Sequence, residues 1–422
     1  MSPVKSKIPK GERPFLDRLL DEVRYRLTTV EDIDVAGHSI PRFVGEFWTS
    51  QQRQALSLHE ISYRACFKPQ LPRFFIEYLT NEGDVVYDPF SGRGTTALEA
   101  GLLGRKVIAT DANPLSTLLC RPRFFPPLLE ELMKRLDRIP IKENAEADID
   151  LSMFYHPATE SEIVSLKEYL DDRRASGTED HIDRWIRMVA TNRLTGHSKG
   201  FFSVYTLPPN QAVSAESQRK INVKMRQEPE HRDTRVIIFK KSKTLLNGIT
   251  QVEREALQRA GETARFLTSD ARETKSIASG TVQLSVTSPP FLDIVDYAQD
   301  NWLRCWFNNL DAADAAKTIT MSRSLEEWSA VMFGVFRELF RITKPRGFVA
   351  FEVGEVRNKA VKLDEHVVPL GLKAGFTCVG IIINEQFFTK TSNIWGVDNN
   401  EKGTNSNRIV VFRKDGKTQS LS

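Results

Sequence analysis

Short apolar runs closed by a polar residue recur at both ends of the chain and are missing from its middle. Residues 85–87, Val-Val-Tyr, predict a strand that Asp88 closes. Residues 95–103 follow with helical spacing, and a second run, 106–111, ends on Asp111. The strand pattern then lapses until the stretch 264–272, in which Asp270 ends a third strand. Val282, Leu284 and Val286 alternate with Gln283 and Ser285 and predict a fourth. Residues 348–353 read as a buried strand, and 376–384 with 408–413 as a terminal antiparallel pair. Helical spacing at 326–342 and 366–374 separates these strands. Strands alternating with helices predict an α/β fold: a Rossmann-like sheet with helices on both faces.

The remaining segments carry weaker patterns. Residues 15–80 read as helical and mixed, with helices expected at 15–27 and 74–79. Between 121 and 263, helices are expected at 129–136, 160–170 and 180–194. Residues 195–217 are small and polar, and 219–243 are strongly basic, with Phe201, Phe202 and Tyr205 just upstream. Such a run either contacts phosphates and bases or forms a solvated face. An aromatic-rich helix is expected at 301–307, and the asparagine-rich stretch 390–407 suits a surface loop beside a site. Four blocks result: a tail and helix at 1–44, then 45–120, an inserted segment at 121–263, and 264–422.

Composition narrows the class. The 422 residues are 40% hydrophobic and 27% charged, as in a soluble globular protein. No apolar stretch approaches the roughly 20 residues that span a bilayer, so no membrane association is expected. The first fourteen residues are basic, contain prolines and lack an apolar segment, unlike a secretory signal. A net charge of +4 permits a nucleic-acid partner without requiring one. Cys66, Cys120, Cys305 and Cys378 show no CxxC spacing, so neither a metal site nor a disulfide framework is expected, and a reducing, cytoplasmic setting is.

Two stretches concentrate candidate chemistry. In Asp88-Pro89-Phe90-Ser91-Gly92-Arg93-Gly94-Thr95, an acid closes a strand, two glycines make a tight turn and a helix begins. That is the geometry of a nucleotide-type cofactor site. No Gly-Lys-Ser/Thr follows, which excludes a P-loop, and GxGxxG is absent. Asp88 suits a ligand with an ammonium group, such as the methionine moiety of S-adenosylmethionine. Asp111, at the end of the second strand, is placed for ribose hydroxyls or for a helix cap. Asp270 could accept from an adenine amine or sit in a surface turn. In Ser288-Pro289-Pro290-Phe291, two prolines stop a strand and stiffen the turn after it. A hydroxyl, a carbonyl and a flat ring there would suit one planar group, such as the exocyclic amine of a base. Asp293 and Asp296 lie close by in sequence.

Together, the Asp88–Thr95 stretch and Thr287-Ser288-Pro289-Pro290-Phe291 resemble the DNA amino-methyltransferases, over roughly residues 45–120 and 264–413. The resemblance implies S-adenosylmethionine as cofactor, with Asp88, Pro89, Phe90, Gly92, Gly94 and Thr95 around it. Phe67-Lys68-Pro69 looks like that family's cofactor motif ahead of the first strand, and Asp111 and Asp270 match its ribose and adenine acids. Arg93 stands where a small residue is usual. Ser288, Pro289, Pro290 and Phe291 match the catalytic motif, and serine in first place implies cytosine N4 rather than adenine N6. The order of motifs implies target recognition by 121–263 on double-stranded DNA, base flipping and direct displacement, in a restriction–modification setting with a cognate endonuclease. No Pro-Cys occurs, which excludes cytosine-C5 chemistry. An adenine-N6 DNA methyltransferase and an RNA amine methyltransferase are the alternatives.

Overall fold

The computed structural model describes residues 27–48, 55–63, 66–207, 212–290, 297–311, 324–356, 361–385 and 406–416. Strands β1 (Leu27–Val35), β2 (His38–Gly45), β3 (Val85–Asp88), β4 (Lys106–Asp111), β5 (Arg265–Thr268), β6 (Val282–Thr287), β7 (Thr343–Val353), β10 (Thr377–Glu385) and β11 (Ser406–Arg413) form one nine-stranded sheet. Its order is β1-β2-β10-β11-β7-β6-β3-β4-β5. Two short strands, β8 (Glu355–Val356) and β9 (Val361–Lys362), pair by themselves. The core β7-β6-β3-β4-β5 is parallel throughout. Strand β11 runs antiparallel between β7 and β10, the terminal pair expected from the sequence. Chain order reverses between β3 and β6, the switch point at which doubly wound sheets open a crevice beyond their carboxyl ends.

The helices, in chain order, are α1 (Gln70–Leu79), α2 (Thr95–Leu102), α3 (Leu115–Cys120), α4 (Leu129–Arg138), α5 (Pro157–Ala175), α6 (His181–Arg193), α7 (Ala215–Met225), α8 (Thr234–Leu245), α9 (Gln251–Thr263), α10 (Tyr297–Phe307), α11 (Leu325–Ile342) and α12 (Leu363–Lys373). Two apolar cores flank the sheet. One joins α1, α2 and the helices of 129–263 to Val86, Leu284, Val286 and Ala350. The other joins α11 and α12 to Tyr87, Val349, Phe351 and Val353. This alternation along single strands is what a sheet covered on both faces requires.

Residues 27–45 depart from the helical and mixed pattern expected of 15–80. They form a hairpin whose turn, Ala36-Gly37, has positive φ at both positions (54° and 81°), as a two-residue hairpin turn needs. Strand β1 is exposed along most of its length and rich in acids, so it carries little apolar alternation. Strand β2 pairs in parallel with β10 and carries the hairpin into the main sheet. The helix expected at 15–27 lies outside the described residues, apart from Leu27, which begins β1.

The basic run 219–243 folds into α7 and α8 with the turn between them. Several of its cations are taken up by the fold. Arg232 bonds the carbonyls of Ser198, Phe201 and Ser203, Arg235 bonds that of Ile139, and Arg219 pairs with Asp150 at 2.7 Å. Lys224, Lys240 and Lys243 remain exposed. Among the described residues no helix is long and apolar enough to cross a membrane.

Asn384, fully buried at the end of β10, clamps the hairpin to the core. Its Oδ1 accepts from the backbone N–H of Phe47 at 2.8 Å and of Trp48 at 3.1 Å. Asn384→Ala strands both N–H groups away from water. It is expected to lower unfolding stability by about 2–6 kcal/mol, from about 1–3 kcal/mol for each unsatisfied group. Urea unfolding checks this, and a loss confined to a few tenths of a kcal/mol contradicts it.

Candidate functional site

Strand β3 delivers Asp88 to the switch point, and the turn after it folds back over its own sheet. Ser91 N–H donates to the Thr110 carbonyl at 3.0 Å, and Gly92 N–H to Asp111 Oδ2 at 2.7 Å. The other oxygen of Asp111 accepts from Asn113 N–H at 2.8 Å. The loop is thus tied to the end of β4 before any ligand arrives. Gly94 has φ +78°, and a Cβ there would lie 2.1 Å from Cys120 Sγ, so both backbone and space demand glycine. A Cβ on Gly92, at φ +52°, would meet the Tyr63 ring at 3.1 Å. Tyr63 and its neighbours cross the loop: Arg93 Nη1 donates to the Ile61 carbonyl at 3.1 Å, and Asn113 Nδ2 to Tyr63 Oη at 3.4 Å. Beneath them the wholly buried Arg123 reaches the Leu58 carbonyl at 3.1 Å.

The two candidate motifs meet at the switch point. Thr287, the last residue of β6, donates its hydroxyl to Asp88 Oδ1 at 2.6 Å in a fully buried contact. Thr96, in the first turn of α2, donates to the Val286 carbonyl at 3.1 Å. Ser288 comes next in the chain and is partly exposed, Pro289 is buried, and the Pro290 carbonyl accepts from Trp328 Nε1 of α11 at 3.0 Å. Asp88 and the Ser288 turn therefore occupy neighbouring strand ends on one side of the sheet. Phe291, Asp293 and Asp296 lie outside the described residues.

Electrostatics single out the two strand-end acids. Burial pushes Asp88 up to about 7, against hydrogen bonds from Thr287, the Phe90 N–H and Thr96. Burial likewise raises Asp111 to about 6, against the N–H groups of Asn113 and Gly92. A bound cation beside Asp88 would relieve that desolvation. An acid wanting a cation and a glycine loop with no room for side chains together fit an ammonium-bearing nucleoside such as S-adenosylmethionine.

Asp270 follows β5 at the same edge of the sheet, but both its oxygens are held by Arg272, whose Nε lies 3.0 Å from each. Burial alone would raise its pKa; the Arg272 contacts prevail and lower it. Any adenine contact there requires that pair to open. Phe67, Lys68 and Pro69 lead into α1, with Lys68 exposed and Pro69 buried. The sequence pattern assigns no role to Thr287 or Tyr63. Nor does it assign one to Glu352, although a lone acid in the apolar run 348–353 is a visible signal.

Comparison with known proteins points the same way over part of the chain. Residues 12–115 match the family model described as DNA methylase. The type II methyltransferase M.BsoBI of Geobacillus stearothermophilus is 31% identical over 127 residues, 30% of this chain and 23% of that protein. The orphan methyltransferase M.BamHII of Bacillus amyloliquefaciens is 42% identical over 62 residues, covering 15% and 23%. A tRNA (guanine(10)-N2)-dimethyltransferase of Methanocaldococcus jannaschii is 34% identical over 98 residues, covering 22% and 27%. The chain thus spans about a quarter of the length of these relatives. Over the matched parts the chain is similar to DNA methylases and to methyltransferases of nucleic acids, and the family model takes in the glycine loop.

The raised acids give a pH signature. A carboxyl whose pKa is higher folded than unfolded contributes stability at low pH, and that contribution is lost as pH rises through its folded value. For Asp88 the window runs from about 4 to about 7. Without ligand, the wild-type melting temperature should fall relative to Asp88→Asn across that window. Parallel pH profiles of the two proteins would contradict the burial of Asp88.

Proposed function

We propose that the protein is an S-adenosylmethionine-dependent DNA methyltransferase that modifies an exocyclic base amine, with cytosine N4 as the favoured target. The observation that carries this reading is the Thr287–Asp88 hydrogen bond, which couples a cation-seeking acid to the Ser-Pro-Pro turn across the switch point.

The cofactor, when bound, supplies an activated methyl group on a sulfonium. The chain's own residues bind, aim and exclude water. Asp88 takes the ammonium end, and the Gly92–Gly94 turn admits the nucleoside close to the backbone. Asp111 takes the ribose hydroxyls by exchanging one of its backbone partners, and Asp270 reaches the adenine once released from Arg272. Phe67, Lys68 and Pro69 close that side, with Tyr63 above the loop. A base amine inside a duplex is out of reach, so the target leaves the stack. Ser288 and the Pro289 carbonyl hold the amine, and Phe291 stacks on the ring. Holding the nitrogen in line with the methyl group is the principal contribution of these residues. The helices of 121–263, with Lys224, Lys240 and Lys243 exposed, form the region that reads duplex DNA. A restriction–modification setting with a cognate endonuclease is part of the proposal, and similarity to a type II methyltransferase is what supports it.

Serine at the head of the motif favours cytosine N4 over adenine N6. RNA is the second substrate reading, favoured by the tRNA dimethyltransferase relative. Incubation with labelled cofactor and either duplex DNA or RNA, followed by mass analysis of the nucleosides, separates these. N4-methylcytosine in DNA is expected, and label found only in RNA or only on adenine overturns the assignment. Ser288→Ala should lower the rate about 100-fold or more, as loss of a positioning contact does, with cofactor affinity retained.

A further inference from the structure

Glu352 is the one acid in an otherwise apolar stretch of β7, and it is 7% exposed. A carboxylate in such a place is costly unless donors reach it. Asn407 of β11 does so, donating its Nδ2 to Oε1 at 3.0 Å. Strand register brings the Ser288 position beside the same carboxylate. Thr287 pairs with Phe351, so Ser288 runs on beside Glu352. Glu352 pairs with Ile409, which leaves Asn407 on the adjacent diagonal.

The charges nearby are otherwise engaged. Asp88 on β3 is bonded to Thr287. Arg408 of β11 is paired with Asp364 of α12 at 2.8 Å. By strand alternation it points to the opposite face from Asn407. Burial pushes the Glu352 carboxyl up, and the bonds from Ser288 and Asn407 hold it down.

We propose that Glu352, steadied by Asn407, is a positioning residue that captures the hydroxyl proton of Ser288 and leaves only lone pairs of that oxygen facing the crevice. A hydroxyl held this way accepts a hydrogen bond and cannot donate one. It welcomes an N–H edge and repels a carbonyl edge, so the turn selects the amine of cytosine or adenine against the carbonyl of thymine or uracil. The inference deepens the proposed function and rests on it for the identity of the substrate. The Ser288–Glu352 contact itself does not.

Two measurements test it. The first needs no substrate: protein labelled with 13C at glutamate carboxyls is titrated by NMR, with Glu352→Gln as the assignment control. Ser288→Ala should raise the Glu352 pKa further, and Asn407→Ala should do the same. Titration of Glu352 in Ser288→Ala that coincides with wild type overturns the proposal.

The second is kinetic. Glu352→Gln presents an amide that can donate to Ser288 and turn its proton outward. It should lower kcat about 100-fold with the KM for S-adenosylmethionine unchanged. Its rate should also lack the wild-type decline as pH falls through the Glu352 pKa. Unchanged cofactor affinity by calorimetry and an unchanged melting temperature show the variant to be folded, and Glu352→Asp should recover part of the rate. A folded Glu352→Gln variant with wild-type kcat and pH profile overturns the proposal. A positive titration, with no methylation of any nucleic acid by the wild type, upholds the contact and sinks the proposed function instead.

Discussion

A single buried hydrogen bond, from the Thr287 hydroxyl to the Asp88 carboxylate, joins the two strand ends that carry the candidate motifs. It spans 199 residues of sequence and the point where strand order reverses. Each partner is placed by its strand: Asp88 closes β3, Thr287 closes β6, and β3 and β6 pair in register through Val86 and Leu284. Because the strands are parallel neighbours, their carboxyl ends open on the same side, and the residues that follow them start side by side at the switch point. A bond to a charged acceptor there is worth more than a neutral one. Its loss would be felt as a change in the charge of Asp88 before any change in shape.

The same region carries an unusual density of desolvated acid. Asp88 and Asp111 are both raised by burial, and so is Glu352 one strand beyond β6. Among the described residues each of the three is held by hydroxyl, amide or backbone N–H groups rather than by a cation. Asp270, by contrast, has Arg272 and a lowered pKa. A fold optimised for stability alone would pair these carboxyls with arginine or replace them. Acids kept ionisable but unpaired by cations concentrate where ligands supply the missing charge or protein groups need a fixed acceptor.

Much of this was legible in the sequence. The strands ending at Asp88, Asp111 and Thr287 follow from short apolar runs, and the glycine turn from residues that have to adopt positive φ. The terminal antiparallel pair was visible too. Other features were not. The hairpin of 27–45 was hidden because an edge strand exposed to water has no apolar face to alternate. The Arg272 grip on Asp270 is a local ion pair that strand pattern does not report. The basic run 219–243 looked uniform in sequence, yet the fold turns Arg232 and Arg235 inward onto carbonyls and leaves Lys224, Lys240 and Lys243 outside. Glu352 acquires meaning only when register sets it beside Ser288, a relation between residues far apart in the chain.

The proposed cofactor site depends most directly on Thr287 holding Asp88 ready for a cationic ligand. Calorimetric binding of S-adenosylmethionine to Thr287→Val and Thr287→Ser near neutral pH tests that dependence. A bond to a charged group is worth about 1.5–3 kcal/mol, so Thr287→Val should bind roughly 10–100-fold more weakly while Thr287→Ser stays near wild type. Equal affinity for all three proteins would contradict the account.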